Sequence, residues 1–357
     1  MRIEALAAQI PAWISQNGPE GDCVLWTRAR LRRNLAGQPF PARAVPAELR
    51  RARELILKKL SVRPEMRGSG KIRLDIAGAF EQRLLAERGL AAEDFPAQPR
   101  FCAAAVSPGE EVCALVNWRD ALSLSFTGAG LCARATLEAA ARFDAAMGAA
   151  LDYAWDRNFG WLSSSPENAG TGLQLSALLH IPCLARSGRA EGALKNLSNL
   201  RAGWKADGPG GIFPDFCEIF TACPFGSGEE AMLENISSAA HFLITAERQA
   251  RDWLFSGPRA VSSEDEAWRA CGLLGNARVI SYEEARGRIS AVLMGLAAGL
   301  PLPVRREAAL KLFALCRPAH IAQGCRPPGK RKFNPAAVTA AERDIRRAAI
   351  IRAALKA

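Results

Sequence analysis

Histidine and tyrosine are scarce in this 357-residue sequence, with three and two copies, and no two cysteines form a CxxC pair. The ten cysteines lie at 23, 102, 113, 132, 183, 217, 223, 271, 316 and 325, and His180, His241 and His320 are scattered. Such spacings offer neither a zinc ribbon nor a thioredoxin-type redox pair. Reduced thiols in apolar surroundings, as in Phe101-Cys102-Ala103, are the expectation. A long apolar run is also missing. Ile289 to Val304 is interrupted by Gly295, Gly299, Pro301 and Pro303 and is too short to cross a bilayer. Met1-Arg2-Ile3-Glu4 opens an amphipathic stretch without the charged-then-apolar pattern of a secretory signal. A cytoplasmic protein with no membrane partner is therefore expected. Internal repeats and low-complexity tracts are absent as well.

The composition that remains, 49% apolar and 23% charged, is that of a globular chain, long enough for two or three domains with buried cores. Its charge is lopsided. Pro301 to Ala357 holds 13 Lys and Arg against 3 Asp and Glu, which is ten of the formal +11. The first 300 residues are nearly neutral, so any affinity for anions is expected in the C-terminal segment. Nucleic acid is a poor fit, because only Phe313 and Phe333 could stack on bases there.

Periodicity outlines the elements. Leu6 to Ile14, broken by Pro11, and Pro46 to Leu60 read as helices. Lys71 to Ile76 and Glu111 to Asn117 read as strands, and Leu122, Leu124 and Phe126 alternate with serines. Leu137, Phe143, Met147, Leu151 and Trp155 recur at helical spacing and predict one long helix packed on a sheet. Ser227-Gly-Glu-Glu230 predicts a capping box before a helix reaching about Trp253. Gly257-Pro258 predicts a boundary, followed by helices, a loop at Arg326 to Lys332, and a last helix capped by Thr339-Ala-Ala-Glu342. Mixed strands and helices thus precede an all-helical part.

Four stretches, in order along the chain, carry a family resemblance. Asn17-Gly-Pro-Glu-Gly-Asp22 with Trp26-Thr-Arg-Ala-Arg-Leu-Arg-Arg-Asn34 resembles the "SSRIRLARN" opening of the bacterial protein-arginine kinases, which are ATP:guanido phosphotransferases. Ser165-Pro-Glu-Asn-Ala-Gly-Thr-Gly-Leu173, running on to His180-Ile-Pro182, resembles their "CPTNVGTG" turn. Arg269 to Ala297 with Arg317-Pro-Ala-His320 is similar to their own C-terminal domain. Glu342-Arg-Asp-Ile-Arg-Arg-Ala-Ala349 is similar to its "RDxxRA" motif.

The resemblance implies an α+β fold of the guanido-kinase type in three parts. These are a small, mostly helical region at 1–85, a catalytic-type domain of antiparallel sheet flanked by helices at 86–256, and a helical domain at 257–357 for dimerisation and phosphoarginine binding. It also implies ATP and magnesium as cofactors. Partners would be phosphoarginine-bearing or arginine-rich proteins of the Clp-type protease system or its repressor, and a second copy of the chain.

Phosphoryl transfer to a guanidinium needs an arginine cage for the triphosphate and carboxylates to orient the guanidinium and take its proton. By resemblance, Thr27, Arg28, Arg30, Gln174 and Ser176 stand at the phosphate positions. The family's "NEEDHxR" loop reads Asn117-Trp118-Arg119-Asp120-Ala121-Leu122-Ser123, so both glutamates, the histidine and the arginine are replaced. Asp120 is the one carboxylate left in the loop and the candidate catalytic residue. Gln174 stands for a second arginine, Ser165 for a cysteine, Gly89 for an adenine-side histidine, and Arg201 to Gly211 for a segment whose "YGEG" is lost. The last helix keeps its motif. There Arg343 and Arg347, four apart on one face, would hold a phosphate, and Asp344 would pair the guanidinium of phosphoarginine. These readings imply a degraded kinase that still binds its ligand, a pseudokinase. The alternative is an active kinase with a rearranged site.

Overall fold

The computed structural model describes residues 6–7, 9–91, 100–197, 200–206, 212–221, 228–325 and 334–356. In chain order the elements are α1 (Ala12–Ser15), β1 (Val24–Arg33), α2 (Pro46–Ser61), β2 (Gly70–Arg73), α3 (Ala79–Glu87), β3 (Ala103–Val106), β4 (Val112–Val116), β5 (Leu122–Ala129) and α4 (Ala133–Gly148). There follow β6 (Trp155–Asp156), β7 (Gly160–Trp161), β8 (Leu173–His180), α5 (Pro182–Arg186), α6 (Ala190–Lys195), β9 (Leu200–Ala206) and β10 (Ile212–Thr221). The rest is helical: α7 (Glu229–Phe255), α8 (Ala260–Asn276), α9 (Tyr282–Ala297), α10 (Arg306–Leu315), α11 (Pro318–Gly324) and α12 (Ala340–Lys356). The eight-stranded sheet runs β2-β3-β4-β5-β1-β8-β10-β9. Antiparallel pairing links β2 to β3, β3 to β4, β4 to β5 and β5 to β1. This is the α+β architecture that the resemblance implies.

By packing, the chain divides into two units. One comprises 1–178, 197–202 and 218–240; the other comprises 179–196, 203–217 and 241–357. The expected break at Gly257-Pro258 lies between α7 and α8.

In the first unit each sheet face has a distinct character, because successive strand residues point to opposite sides. Leu122, Leu124 and Phe126 of β5 and Ala29 and Leu31 of β1 are buried on one face. There α4 lies with its own buried stripe of Leu137, Ala140, Phe143 and Met147, and Phe126 meets Phe143 edge-on at 5.3 Å. Burying such side chains stabilises by ~1.5–3 kcal/mol each. The opposite face is apolar towards β2–β4, where Leu74, Leu85, Leu90, Ala104, Val106, Cys113, Leu115 and Trp118 share a core. Towards β5, β1 and β8 it is polar.

Several expectations shift in detail. The helix predicted from Leu137 to Trp155 ends at Gly148. The chain folds back there, with Leu151 N bonded to Met147 O at 2.8 Å, and Trp155 belongs to the β6–β7 hairpin, 58% exposed. Helical spacing persisted past the true end because Leu151 is buried and its backbone is tied back to the last turn of the helix. Pro11 does break the predicted helix: Leu6 and Ala7 are helical before it and Ala12–Ser15 after it. Ser227 and the Arg326–Lys332 loop fall outside the described residues, as do residues 207–211 of the segment matched to the lost "YGEG". The cap at Thr339 forms as predicted: Glu342 N donates to Thr339 Oγ1 at 3.2 Å and Thr339 N to Glu342 Oε2 at 2.8 Å.

The second unit is built around a stack. His180 lies on Phe216 at 4.7 Å, and Phe216 on Phe313 at 4.6 Å. His180 Nε2 bonds Ser290 Oγ at 2.8 Å, and Ser290 Oγ donates to Asp215 Oδ2 at 2.5 Å. Arg186 bridges Asp215 and Glu266. Burial, with four arginines nearby, holds the His180 imidazole well below its ordinary pKa, so it is a neutral packing group.

Candidate active site

β1 carries an arginine at every second position, so Arg28, Arg30 and Arg32 project from the same face of the sheet. The register sets them opposite hydroxyl residues of β5: Arg28 against Thr127, Arg30 against Ser125 and Arg32 against Ser123. Arg28 Nε donates to Thr127 Oγ1 at 3.0 Å and Arg30 Nε to Ser125 Oγ at 3.1 Å. On β8, the strand on the other side of β1, Gln174 accepts from Arg32 Nη2 at 3.1 Å, and Ser176 follows two residues on. Arg28 also lies over the Trp26 ring at 4.3 Å. A side chain at Gly89 would meet its guanidinium, since a Cβ there would stand 3.2 Å from Nη2.

Burial dominates the electrostatics of this row. It pulls the Arg28 guanidinium down to about 10, assisted by Arg30 and opposed by Glu218, Cys113 and Glu110. Arg30 is lowered by the same cause and opposed by Glu218. Neighbouring guanidinium groups with so little water make a strong site for a polyanion. Among the nearby carboxylates, Glu110 is committed to a buried pair with Arg88. Cys113 faces the arginines, and burial pushes its thiol up to about 12, so it stays protonated.

Of the residues read as phosphate contacts, the fold brings together Arg28, Arg30, Gln174 and Ser176 and separates Thr27. Being odd in the alternation, Thr27 points to the other face. There its hydroxyl donates to Gly130 O at 2.6 Å and accepts from Cys132 N at 3.3 Å. Arg32 joins the row although the resemblance did not single it out; the spacing of Arg28, Arg30 and Arg32 was the signal. Glu218 on β10 acts electrostatically on Arg28 and Arg30.

Asp120 is 3% exposed and accepts from Asn34 Nδ2 at 2.7 Å, Ser164 N at 2.6 Å and Ser163 Oγ at 3.1 Å. Its carboxylate is a clamp for the sheet end and the 163–164 turn. Trp118 is packed in the core beside Leu115 and Leu74, and Arg119 is exposed.

On α12, Arg347 is 1% exposed. Its Nε donates to Cys316 O and its Nη1 to Ile280 O, each at 2.9 Å, and Nη1 also reaches Asp344 Oδ1 at 2.5 Å. Arg343 Nη1 donates to Val338 O at 2.6 Å. The two halves of the candidate phosphoarginine site, Arg347 and Asp344, therefore pair with each other in this state.

A sheet faced with arginines and closed by helices is the plan of a guanidino kinase, and comparison with known proteins agrees. Residues 64–250 match the family described as ATP:guanido phosphotransferase, C-terminal catalytic domain, and residues 261–357 match the protein-arginine kinase McsB C-terminal domain. This chain belongs to the protein-arginine kinase family of ATP:guanido phosphotransferases. A protein-arginine kinase of Symbiobacterium thermophilum is 32% identical over 359 residues, spanning 97% of this chain and 96% of that protein. The protein-arginine kinase of Bacillus subtilis is 30% identical over 349 residues, spanning 96% and 93%. The fold is similar to that of a lombricine kinase, with TM-score 0.55 and 18% identity over 67% of this chain and 71% of that one. It is also similar to the duplicated taurocyamine kinase of Schistosoma mansoni, with TM-score 0.56 and 17% identity over 68% of this chain and 36% of that one.

Among the described residues, no helix is long and apolar enough to cross a membrane.

Proposed function

We propose that this chain is a member of the protein-arginine kinase family that has kept phosphate and guanidine recognition and lost efficient phosphoryl transfer. It acts as a regulator that binds phosphoarginine on proteins. The observation that carries the reading is the Asn117–Ser123 loop: Trp118 is in the core, Arg119 is a cation, and the Asp120 carboxylate is saturated by structural donors. Losing one preorganised charge-stabilising group costs ~10²–10³ in rate. Losing both proton-handling carboxylates and two cage arginines leaves little chemistry even with non-additive effects.

The triphosphate of ATP fits Arg28, Arg30 and Arg32, and magnesium would be carried by its phosphate oxygens. When bound, the nucleotide would supply a transferable phosphoryl group. The residues of this chain would orient it without offering the acceptor a base. On α12, phosphoarginine would replace the internal pair, its phosphate displacing Asp344 from Arg347 and its guanidinium taking Asp344, with Arg343 alongside. The partners that follow are arginine-phosphorylated proteins of a Clp-type protease system or its repressor, in the cytoplasm, with the chain as a homodimer through residues 257–357.

The test is to incubate the full chain with Mg-ATP and an arginine-rich unfolded protein and assay acid-labile phosphoarginine by mass spectrometry, with ATP and phosphoarginine titrations alongside. The expected result is binding of both without appreciable transfer. Turnover in the ordinary kinase range of ~1–100 per second would establish the alternative, an active kinase with a rearranged site.

A further inference from the structure

The near-neutral total of the first 300 residues conceals a local excess. Residues 43–73 hold ten Lys and Arg against three Glu, a surplus of seven positive charges. The fold gathers them on one surface. α2 turns Leu49, Ala52, Ile56 and Leu60 inward and packs against β3 and β4. On the edge strand β2, Lys71 and Arg73 lie opposite Ala105 and Ala103 of β3. Alternation sets them on the other side of the sheet from Ile72 and Leu74, which belong to the shared core. Asp75, in phase with Lys71 and Arg73, accepts from Arg53 of α2 at 3.1 Å and from Arg73 Nη2 at 2.8 Å. Helix and edge strand therefore present their cations side by side.

Few of these cations are spent inside the fold. Arg53 and Arg73 share Asp75, and Arg63 pairs with Glu65. Glu48 is used on the cap of α2, where it accepts from Val45 N at 2.8 Å. Among the described residues, Arg43, Arg51, Lys58, Lys59, Arg67 and Lys71 form no ion pair. Along α2 and its C-terminal cap, Arg51, Leu55, Lys58 and Val62 follow one another at helical spacing, all exposed, with Leu55 38% and Val62 75% open to solvent. Cations on an edge strand keep it from pairing with other sheets. That need does not call for aliphatic side chains between the cations of a helix.

The pattern selects among anionic partners. A phosphate backbone or an anionic lipid surface is a uniform polyanion, and Glu54, exposed between Arg51 and Lys58, would meet it with like charge. Nucleic acid would leave Leu55 and Val62 without a partner. Phe101, the ring bordering the patch, already carries Arg50 and Arg53, each 5.3 Å from its centroid. For a bilayer, the large apolar side chains exposed between 43 and 76 are Val45, Leu55, Val62 and Ile76, without the aromatic anchors of an interfacial helix. A second copy of the same face would set cation against cation. We propose that the face formed by α2 and β2 docks an acidic amphipathic segment of a partner protein. Its carboxylates lie on Arg51, Lys58 and Lys71, and its aliphatic side chains on Leu55 and Val62. The face uses no residue of the β1 arginine row or of α12, so it stands whether or not either of those binds phosphate.

Binding of four labelled probes to the full chain at physiological salt tests it. They are a designed helical peptide carrying Glu and Leu at matching spacing, poly-glutamate of the same length, a single-stranded oligonucleotide, and phosphatidylserine-containing vesicles. Arg51→Glu with Lys58→Glu is expected to weaken the designed peptide about tenfold or more. Leu55→Gln with Val62→Gln leaves the charge unchanged and is expected to weaken that peptide about threefold while sparing poly-glutamate. Arg189→Glu with Lys195→Glu makes the same charge change at exposed positions in and beside α6, and is expected to move the peptide by less than about twofold. The proposal is overturned if the unmutated chain does not bind the designed peptide, or if the reversal at α6 weakens it as much as the reversal at α2. It is overturned equally if Leu55→Gln with Val62→Gln has no effect. Tighter binding of the oligonucleotide or the vesicles than of the peptide, lost in Arg51→Glu with Lys58→Glu, would assign the face to nucleic acid or lipid and overturn it too. Should the reversal at α2 not fold, Arg51→Gln with Lys58→Gln takes its place, and unchanged peptide binding by that variant overturns the assignment.

Discussion

Asn34 and Asp120 hold each other at the end of the sheet: Asn34 Nδ2 donates to Asp120 Oδ1 at 2.7 Å, while Asn34 Oδ1 accepts from Ala121 N at 2.9 Å. The pair ties the strand that bears the arginines to the Asn117–Ser123 loop, whose carboxylate is occupied by donors from Asn34, Ser163 and Ser164. Asp120→Asn keeps the shape but removes the charge that several donors point to. It is expected to lower stability by about 1.5–3 kcal/mol, the range for a hydrogen bond to a charged group, with triphosphate binding largely kept. Urea denaturation and nucleotide titration of the same variant check this; full stability with lost binding would return Asp120 to the chemistry.

Placing a carboxylate at 118 is expected to fail. Trp118 is 8% exposed and part of a shared core with Leu74, Leu85, Cys102 and Leu115. Trp118→Glu both removes a large ring and buries a charge, at a cost of at least about 3–5 kcal/mol. Circular dichroism on heating should show a large drop in the unfolding midpoint and no gain in phosphoarginine formation. A stable variant with new activity would contradict the packing argument.

Arg343 and Arg347 are expected to separate on mutation, despite matching places in the motif. Arg347→Ala strands the carbonyls of Cys316 and Ile280 and leaves Asp344 without its partner. Its loss should cost about 3–5 kcal/mol, as for a buried pair broken on one side. Arg343 is tied to Val338 O, and Arg343→Ala should stay within about 1 kcal/mol. Binding of a phosphoarginine peptide should fall in both. Denaturant midpoints measured beside the affinities tell a folding loss from a binding loss.

A pH dependence follows from Glu247, which is 1% exposed on α7 and closes the N-terminus of α5 by accepting from Cys183 N at 3.1 Å and Leu184 N at 2.7 Å. Burial pushes its carboxyl up to about 7, against those hydrogen bonds and Arg251. An acid whose pKa is higher folded than unfolded binds more protons in the folded state. Its contribution is therefore present below the ordinary carboxylate value and is lost as pH rises from about 4.5 to about 7. At ~1.4 kcal/mol per pH unit, the change is on the order of 3 kcal/mol. Denaturation curves at pH 5 and pH 8 should show this loss in the unmutated chain and a much flatter response in Glu247→Gln. An identical pH slope in both would remove Glu247 as the cause.

The sequence was most legible where period and function coincide. Alternation alone places Leu122, Leu124 and Phe126 against a helix, and Thr339 with Glu342 announces its own cap. The arginine face was half legible. Resemblance found Arg28 and Arg30, but a motif read as a string also collected Thr27, which the pleat of β1 turns to the opposite side. The clamp around Asp120 was not legible, because its donors, Asn34, Ser163 and Ser164, come from distant parts of the chain and leave no local trace. The helix predicted through Trp155 failed where a chain reversal kept Leu151 in phase by packing alone.

Among the described residues of the second unit, four arginines reach a carbonyl at or beside the C-terminal end of a helix: Arg251 to Ala297 of α9, Arg278 to Asn276 of α8, Arg347 to Cys316 after α10, and Arg352 to Ala277 after α8. Those ends carry the negative pole of the peptide dipoles, so part of this unit's positive charge is neutralised within the fold. Counting basic residues therefore overstates the outward field of the C-terminal segment. Retention on a cation exchanger would report the smaller number of arginines left facing solvent, and a homologue that traded these for neutral caps could lose formal charge with little change in its surface potential.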